Sequence, residues 1–189
     1  MNAEPDDRQR LAAMLARLSY REGSFVLASG RRSSFYIDVK QTVFTAAGAQ
    51  LIGRLAYREL STRGVELAGG MAVGAVPLVT AVLCAAAQAG RPLSGFFVRK
   101  QPKNHGTGAT IDGPFRPDAR IGLLEDVVTT GESTIRAIDA VEAAGGQVAV
   151  VVAVVDRQEE GGLAAIARRV PEVVALCDRA AILAAAKNT

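Results

Sequence analysis

The residues from Ile121 to Thr134, Ile-Gly-Leu-Leu-Glu-Asp-Val-Val-Thr-Thr-Gly-Glu-Ser-Thr, constrain this chain more than any other stretch. The apolar run Ile121 to Leu124 predicts a strand buried in a parallel sheet. It places Glu125 and Asp126 at its C-terminal end, the edge where open α/β sheets bind ligands. The loop from Thr129 to Ser133 carries only Thr, Gly, Glu and Ser, so its backbone can curl around a ligand with amides and hydroxyls turned inward. It leads into a helix predicted over residues 133–144, and a nest before a helix N-terminus suits a phosphate. Adjacent carboxylates would repel that phosphate on contact; they suit sugar hydroxyls or a divalent cation instead. The stretch therefore points to a sugar phosphate. An ordinary strand end with an acidic turn and a Thr or Ser helix cap is the alternative, and the full order of strand, acid pair and loop favours the ligand.

The rest of the chain bounds the setting. Its 189 residues, 49% hydrophobic and 22% charged, are expected to form a single globular domain, residues 1–189. The longest apolar stretches, Ala75 to Ala89 and Ala143 to Val155, are interrupted by Gly, Gln, Pro or Thr and are too short for a membrane span. Met1 to Arg10 lacks the apolar core of a signal peptide, so the cytoplasm is expected. Cys84 and Cys177 have no C-x-x-C spacing and read as core thiols. One histidine leaves little material for a zinc cluster or a Ser-His-Asp triad. A net charge of +3 does not argue for nucleic acid.

Along the chain, Leu11, Met14, Leu15 and Leu18 predict an amphipathic N-terminal helix. Phe25-Val26-Leu27 and Phe35-Tyr36-Ile37 read as two strands joined by the basic turn Ser29-Gly30-Arg31-Arg32-Ser33. A helix over 50–60, a strand over 64–68 and a helix over 78–89 follow, the last with Pro77 in its first turn. Between them lies the loop Gly69-Gly70-Met71-Ala72-Val73-Gly74. Its glycines would let a ligand approach the backbone, or it is a plain connector. It lacks the Gly-Lys-Ser/Thr ending of a P-loop. After a strand over 93–98, Arg99, Lys100, Lys103 and His105 fall within seven positions among Pro and Gly. That spacing predicts a mobile lid, about 99–112, closing over an anion, with a solvated charged loop as the alternative. A strand over 148–155, the segment Asp156-Arg157-Gln158-Glu159, a further helix, a strand over 173–176 and a terminal helix complete an α/β pattern that predicts a parallel, doubly wound sheet.

The stretch from Glu125 to Ser133 resembles the signature of the type I phosphoribosyltransferases, enzymes that use 5-phosphoribosyl-1-pyrophosphate (PRPP). The resemblance implies that family's parallel doubly wound sheet with a small N-terminal helix and strand hood, about 1–40. It also implies that Glu125, Asp126, Val127, Val128, Thr129, Thr130, Gly131, Glu132 and Ser133 bind PRPP, the acid pair near the ribose hydroxyls and the loop around the 5-phosphate. Within the family the chain is similar to orotate phosphoribosyltransferases in four segments: the Ser29-Gly30-Arg31 turn with Phe35-Tyr36, the Arg99-Lys100 to His105-Gly106 lid, the Glu125 to Ser133 loop, and Asp156-Arg157-Gln158-Glu159.

That likeness implies transfer of the phosphoribosyl group from PRPP to orotate, giving orotidine 5'-monophosphate and pyrophosphate in pyrimidine (UMP) biosynthesis. It assigns Arg99, Lys100, Lys103 and His105 to the pyrophosphate and to catalysis, and Thr129 and Arg157 to orotate. Phe35 and Tyr36 would line the base pocket or serve as ordinary strand aromatics. Mg²⁺ is the implied cofactor, carried by PRPP and not held by the protein alone. The lid would be shared between the subunits of a homodimer, with neither nucleic acid nor membrane as partner. Two positions depart from many relatives, Ala28 and Val73 standing where those carry Lys. A phosphoribosyltransferase for another base, or a PRPP-sensing regulator binding nucleic acid, is the rival reading. The basic cluster lies in the lid and lacks interleaved aromatics, which argues against the regulator.

Overall fold

The computed structural model describes residues 6–26, 32–101 and 110–187. Helix α1 (Asp7–Leu18) begins where Asp6 accepts from the Gln9 amide and the Gln9 side chain accepts from the Asp6 amide. This capping box satisfies two donors that the helix leaves open, and the apolar spacing buries Leu11 and Leu15. Strands β1 (Tyr20–Val26) and β2 (Arg32–Ile37) pair antiparallel. Alternation along β2 buries Ser33, Phe35 and Ile37 and leaves Tyr36 exposed. The turn at Ser29, Gly30 and Arg31, with Ala28, lies outside the described residues.

Helices α2 (Lys40–Val43) and α3 (Ala46–Ser61) follow. Thr45 caps α3 by accepting from the Gly48 amide at 3.0 Å, so the helix expected from Gln50 starts four residues earlier. The order continues through β3 (Leu67–Gly69), α4 (Ala75–Gln88), β4 (Ser94–Gly95), β5 (Phe97–Val98), β6 (Ile111–Asp112), β7 (Arg120–Val128), α5 (Glu132–Ala143), β8 (Gln147–Asp156), α6 (Gly162–Ala167), β9 (Glu172–Asp178) and α7 (Arg179–Ala186).

The expected parallel sheet has five strands in the order β4-β3-β7-β8-β9, every neighbouring pair parallel. Val150, Val152 and Val154 of β8 pack into one core with Leu55 and Leu78, while Val151 and Ala153 pack into another with Ile138 and Ile166. Burial on both faces is why β8 reads as an unbroken apolar run.

Two expectations need correcting. The single strand expected over 93–98 is split: β4 joins the main sheet, while β5 pairs antiparallel with β6. The chain turns at Phe96, whose ring is buried edge-on against Phe115 at 5.3 Å. Cys84, expected in the core, is exposed on α4; Cys177 is buried, and burial followed by the nearby Asp178 charge pushes its thiol up to about 12. Among the described residues no helix is long and apolar enough to cross a membrane.

Candidate active site

Strand β3 has β4 on one side and β7 on the other, so the winding of the sheet reverses there. A crevice opens at the carboxyl ends of strands at such a reversal. Residues 70–74 leave β3 on one side of it, with a cis peptide between Ala72 and Val73. The acid pair of β7 approaches from the other side. The two meet at Gly74: a Cβ there would stand 2.7 Å from Asp126 Oδ2. Any side chain at Gly74 would push the Asp126 carboxylate aside.

The acid pair does not follow the strand, as expected from the apolar run, but lies within it. Val127 and Val128 extend the ladder by pairing with Val155 and Asp156. Successive side chains of a strand leave from opposite faces, yet the two carboxyl groups remain within hydrogen-bonding reach of each other. Asp126, half-buried, faces the crevice at Gly74 and accepts from the Val127 amide at 2.9 Å. Glu125 is 6% exposed and accepts a 2.6 Å hydrogen bond from the Thr134 hydroxyl. Burial first, then the Asp126 charge, pushes Glu125 up to about 8. Burial of this kind favours the neutral carboxyl over the carboxylate.

Beyond Val128 the chain passes through Thr129 and Thr130 to Gly131, whose φ of +80° opens α5 in a left-handed conformation. The helix has no side-chain cap at this end; the Thr130 hydroxyl accepts weakly from the Glu132 amide at 3.3 Å. The first-turn amides at Ser133 and Thr134 are thus available to an anion, aided by the helix dipole. Glu132 is exposed and pairs with Arg136 at 3.8 Å.

Register brings the two residues assigned to orotate together. Val128 pairs with Asp156, so Thr129 and Arg157 emerge side by side, and the Arg157 amide donates to Val128 O at 3.0 Å. Arg157 is 3% exposed. Its Nη2 donates to the Ser33 hydroxyl at 3.1 Å and lies 3.0 Å from Glu159 Oε2, while its Nε is buried without a partner among the described residues. Its Cζ stands 4.4 Å from the centre of the Phe35 ring. Phe35 is 1% exposed and belongs to the core; Tyr36 is on the outer face, tilted against Phe25 at 5.6 Å.

The lid residues divide. Arg99 sits at the top of the β5–β6 ribbon, its Nε bonded to the Asp112 carboxylate and its amide donating to Thr110 O at 2.8 Å. Lys100 is exposed. Lys103 and His105 lie outside the described residues.

Sequence reasoning did not single out Thr134, Asp112 or Lys40. The Lys40 ammonium is 2.7 Å from Asp38, whose hydrogen bond raises its pKa, with a smaller contribution from Asp126. A basic residue following Asp38-Val39 was the only signal for it. Nothing local marked Thr134, whose role depends on how α5 packs on β7. Among the described residues no three His, Cys, Asp or Glu side chains are grouped to hold a metal.

No protein-family model matches the chain. Individual proteins do. Over 155 residues it is 44% identical to an orotate phosphoribosyltransferase of Nostoc, covering 82% of this chain and 75% of that one. Over 180 residues it is 41% identical to the orotate phosphoribosyltransferase of Sorangium cellulosum, covering 94% and 93%. The Mycobacterium tuberculosis orotate phosphoribosyltransferase solved with Fe(III) dicitrate matches with a TM-score of 0.82 and 35% identity over 94% of this chain and 99% of that one. The same enzyme solved with PRPP matches at 0.76 and 31%, with the same coverage. The crevice, the uncapped helix and the buried Arg157 thus sit on the scaffold of these proteins, and the chain belongs to the orotate phosphoribosyltransferase family.

Proposed function

We propose that the chain transfers the 5-phosphoribosyl group of PRPP to orotate, in the crevice between β3 and β7, releasing orotidine 5'-monophosphate and pyrophosphate. The observation that carries this reading is the uncapped N-terminus of α5 behind Gly131, set at the reversal of the sheet. Its amides hold the 5-phosphate of PRPP. Asp126 accepts from a ribose hydroxyl, while Glu125 is buried and bonded to Thr134 and so is held away from the phosphate. The Nε of Arg157, buried and without a partner among the described residues, is a donor reserved for the base. A buried polar atom without a partner costs stability unless a ligand supplies one, and a guanidinium suits a carboxylated pyrimidine.

In the reaction the bond from ribose C1 to the pyrophosphate oxygen breaks and a bond from C1 to orotate N1 forms, the N1 proton passing to the departing pyrophosphate or to solvent. Positive charge develops on the sugar and negative charge on the leaving group, so catalysis rests on positioning and electrostatics. Arg99, Lys100, Lys103 and His105 attend the departing pyrophosphate. The Arg99–Asp112 bond holds the first of these at the lid stem. Lys40, close enough to feel Asp126, adds positive charge near a crevice in which Val73 supplies none. Half-buried Asp126 suits an ion that brings most of its oxygen ligands with it; Mg²⁺ bound to PRPP would offset pyrophosphate charge there.

The protein acts as a homodimer with the lid shared between subunits. The supporting feature is an apolar groove between α3 and α4, about 860 Å³, flanked by Phe44 and Val73, which are 73% and 70% exposed. Aromatic and aliphatic side chains exposed beside a groove of small residues suit a second copy of the same surface. We place the activity in the cytoplasm, because a substrate as highly charged as PRPP does not cross a membrane unaided. Acceptor choice tests the reading. With PRPP and Mg²⁺, orotate is consumed and uracil and purine bases are not; loss of another base with orotate intact overturns it.

A further inference from the structure

We infer that Arg179, the first residue of α7, is a positioning residue for orotate: together with Glu159 it fixes the Arg157 guanidinium and leaves the pocket positively charged. The inference rests on the activity proposed above and deepens it.

Phe35 has a guanidinium carbon close to its ring from each of two elements, Arg157 Cζ at 4.4 Å and Arg179 Cζ at 4.2 Å. The Glu159 carboxylate bridges the same two side chains, Oε2 lying 3.0 Å from Arg157 Nη2 and Oε1 3.8 Å from Arg179 Nη1. The loop after β8 is bound to α7 a second time, since the Ala180 amide donates to Gln158 Oε1 at 3.3 Å. Gln158 and Glu160 both have φ of +56°, a costly conformation for residues with side chains. Such a loop keeps its shape only where its surroundings impose it, and here α7 is what it is bound to. The Nε atoms of both arginines are buried without a hydrogen-bond partner among the described residues.

Charge gives Arg179 its purpose. Arg157 and Glu159 alone would neutralise each other and offer little to an anionic base. Arg179 shares the carboxylate, so the three groups carry a net positive charge beside the Arg157 Nε. The device favours a carboxylated pyrimidine over uracil, which has the same ring without the carboxylate.

Steady-state kinetics of Arg179→Gln and Arg179→Lys, with orotate and PRPP varied separately, test the role alongside orotate binding by calorimetry and thermal unfolding. Arg179→Gln is expected to raise the orotate KM and weaken orotate binding about tenfold, the scale of one desolvated cation contact, with the PRPP KM unmoved. Arg179→Lys, which keeps the charge, recovers most of the loss. An unchanged orotate KM, or orotate and PRPP constants rising together with a fall in unfolding temperature, overturns the positioning role. Wild-type protein that neither binds nor consumes orotate overturns the proposed activity and this inference with it. A wild type that consumes orotate, with Arg179→Gln indistinguishable from it, overturns the inference alone.

Discussion

The hydroxyl of Thr134 donates a 2.6 Å hydrogen bond to Glu125 Oε2, joining the first turn of α5 to β7 beneath the loop from Thr129 to Ser133. Both residues are almost fully buried. The bond therefore sets how the uncapped helix end meets the strand carrying the acid pair. It gives Glu125 a role distinct from that of its neighbour Asp126, which lies against Gly74.

Removing that donor leaves a buried carboxyl without its partner. Thr134→Val keeps the shape and is expected to lower stability by about 1–3 kcal/mol, the cost of an unsatisfied buried polar group. Urea unfolding measures it: the midpoint falls with an unchanged slope, and an unmoved midpoint would show that the bond contributes nothing.

The proton on Glu125 makes stability depend on pH. Its pKa is raised from 4.5 in the unfolded chain to about 8 in the folded one, so between those values the folded state binds a proton that the unfolded state does not. The stability from this group is fully present below the unfolded value and is lost as pH rises through the folded one. Comparing unfolding at about pH 6 and about pH 8.5, the wild type is expected to weaken relative to Glu125→Gln, which cannot ionise. Parallel changes in the two proteins would place the Glu125 pKa outside that window.

Gly131 carries the turn into α5 at a φ of +80°, and a Cβ there would stand 2.9 Å from Gly162 O. Gly131→Ala is expected to cost about 1–2 kcal/mol from the left-handed conformation alone and to raise the PRPP KM by displacing the amides at the helix end. Thermal unfolding and PRPP titration read the two effects separately. An unaltered PRPP KM would remove the phosphate from this loop.

Much of this was legible in the sequence because it is local. The buried strand, the small-residue loop and the helix after it follow from an apolar run and from Thr-Thr-Gly-Glu-Ser. What was not legible depends on packing and register. Nothing in Glu-Asp-Val-Val says that pairing with Val155 and Asp156 carries the strand two residues past the acid pair. Phe35 and Tyr36 differ little in type, yet the β1–β2 register buries one and exposes the other. Arg179 reads as an ordinary helix-start arginine until β2 and the loop after β8 are placed beside it.

The homodimer proposal turns on Phe44, which is exposed beside the α3–α4 groove and does not belong to either core. Phe44→Asp puts a charge on that face without disturbing the fold. Sedimentation is expected to show a dimer for the wild type and a monomer for the variant, with turnover lost along with the shared lid. A wild-type monomer, or an active monomeric variant, would remove the shared lid from the mechanism.

The central claim is that this crevice joins orotate to the ribose of PRPP, and product stoichiometry tests it most directly. With wild-type protein, Mg²⁺, PRPP and orotate, the account predicts that orotate disappears while orotidine 5'-monophosphate and pyrophosphate accumulate in equal amounts. Folded protein that leaves orotate intact, or releases pyrophosphate without the nucleotide, would contradict it.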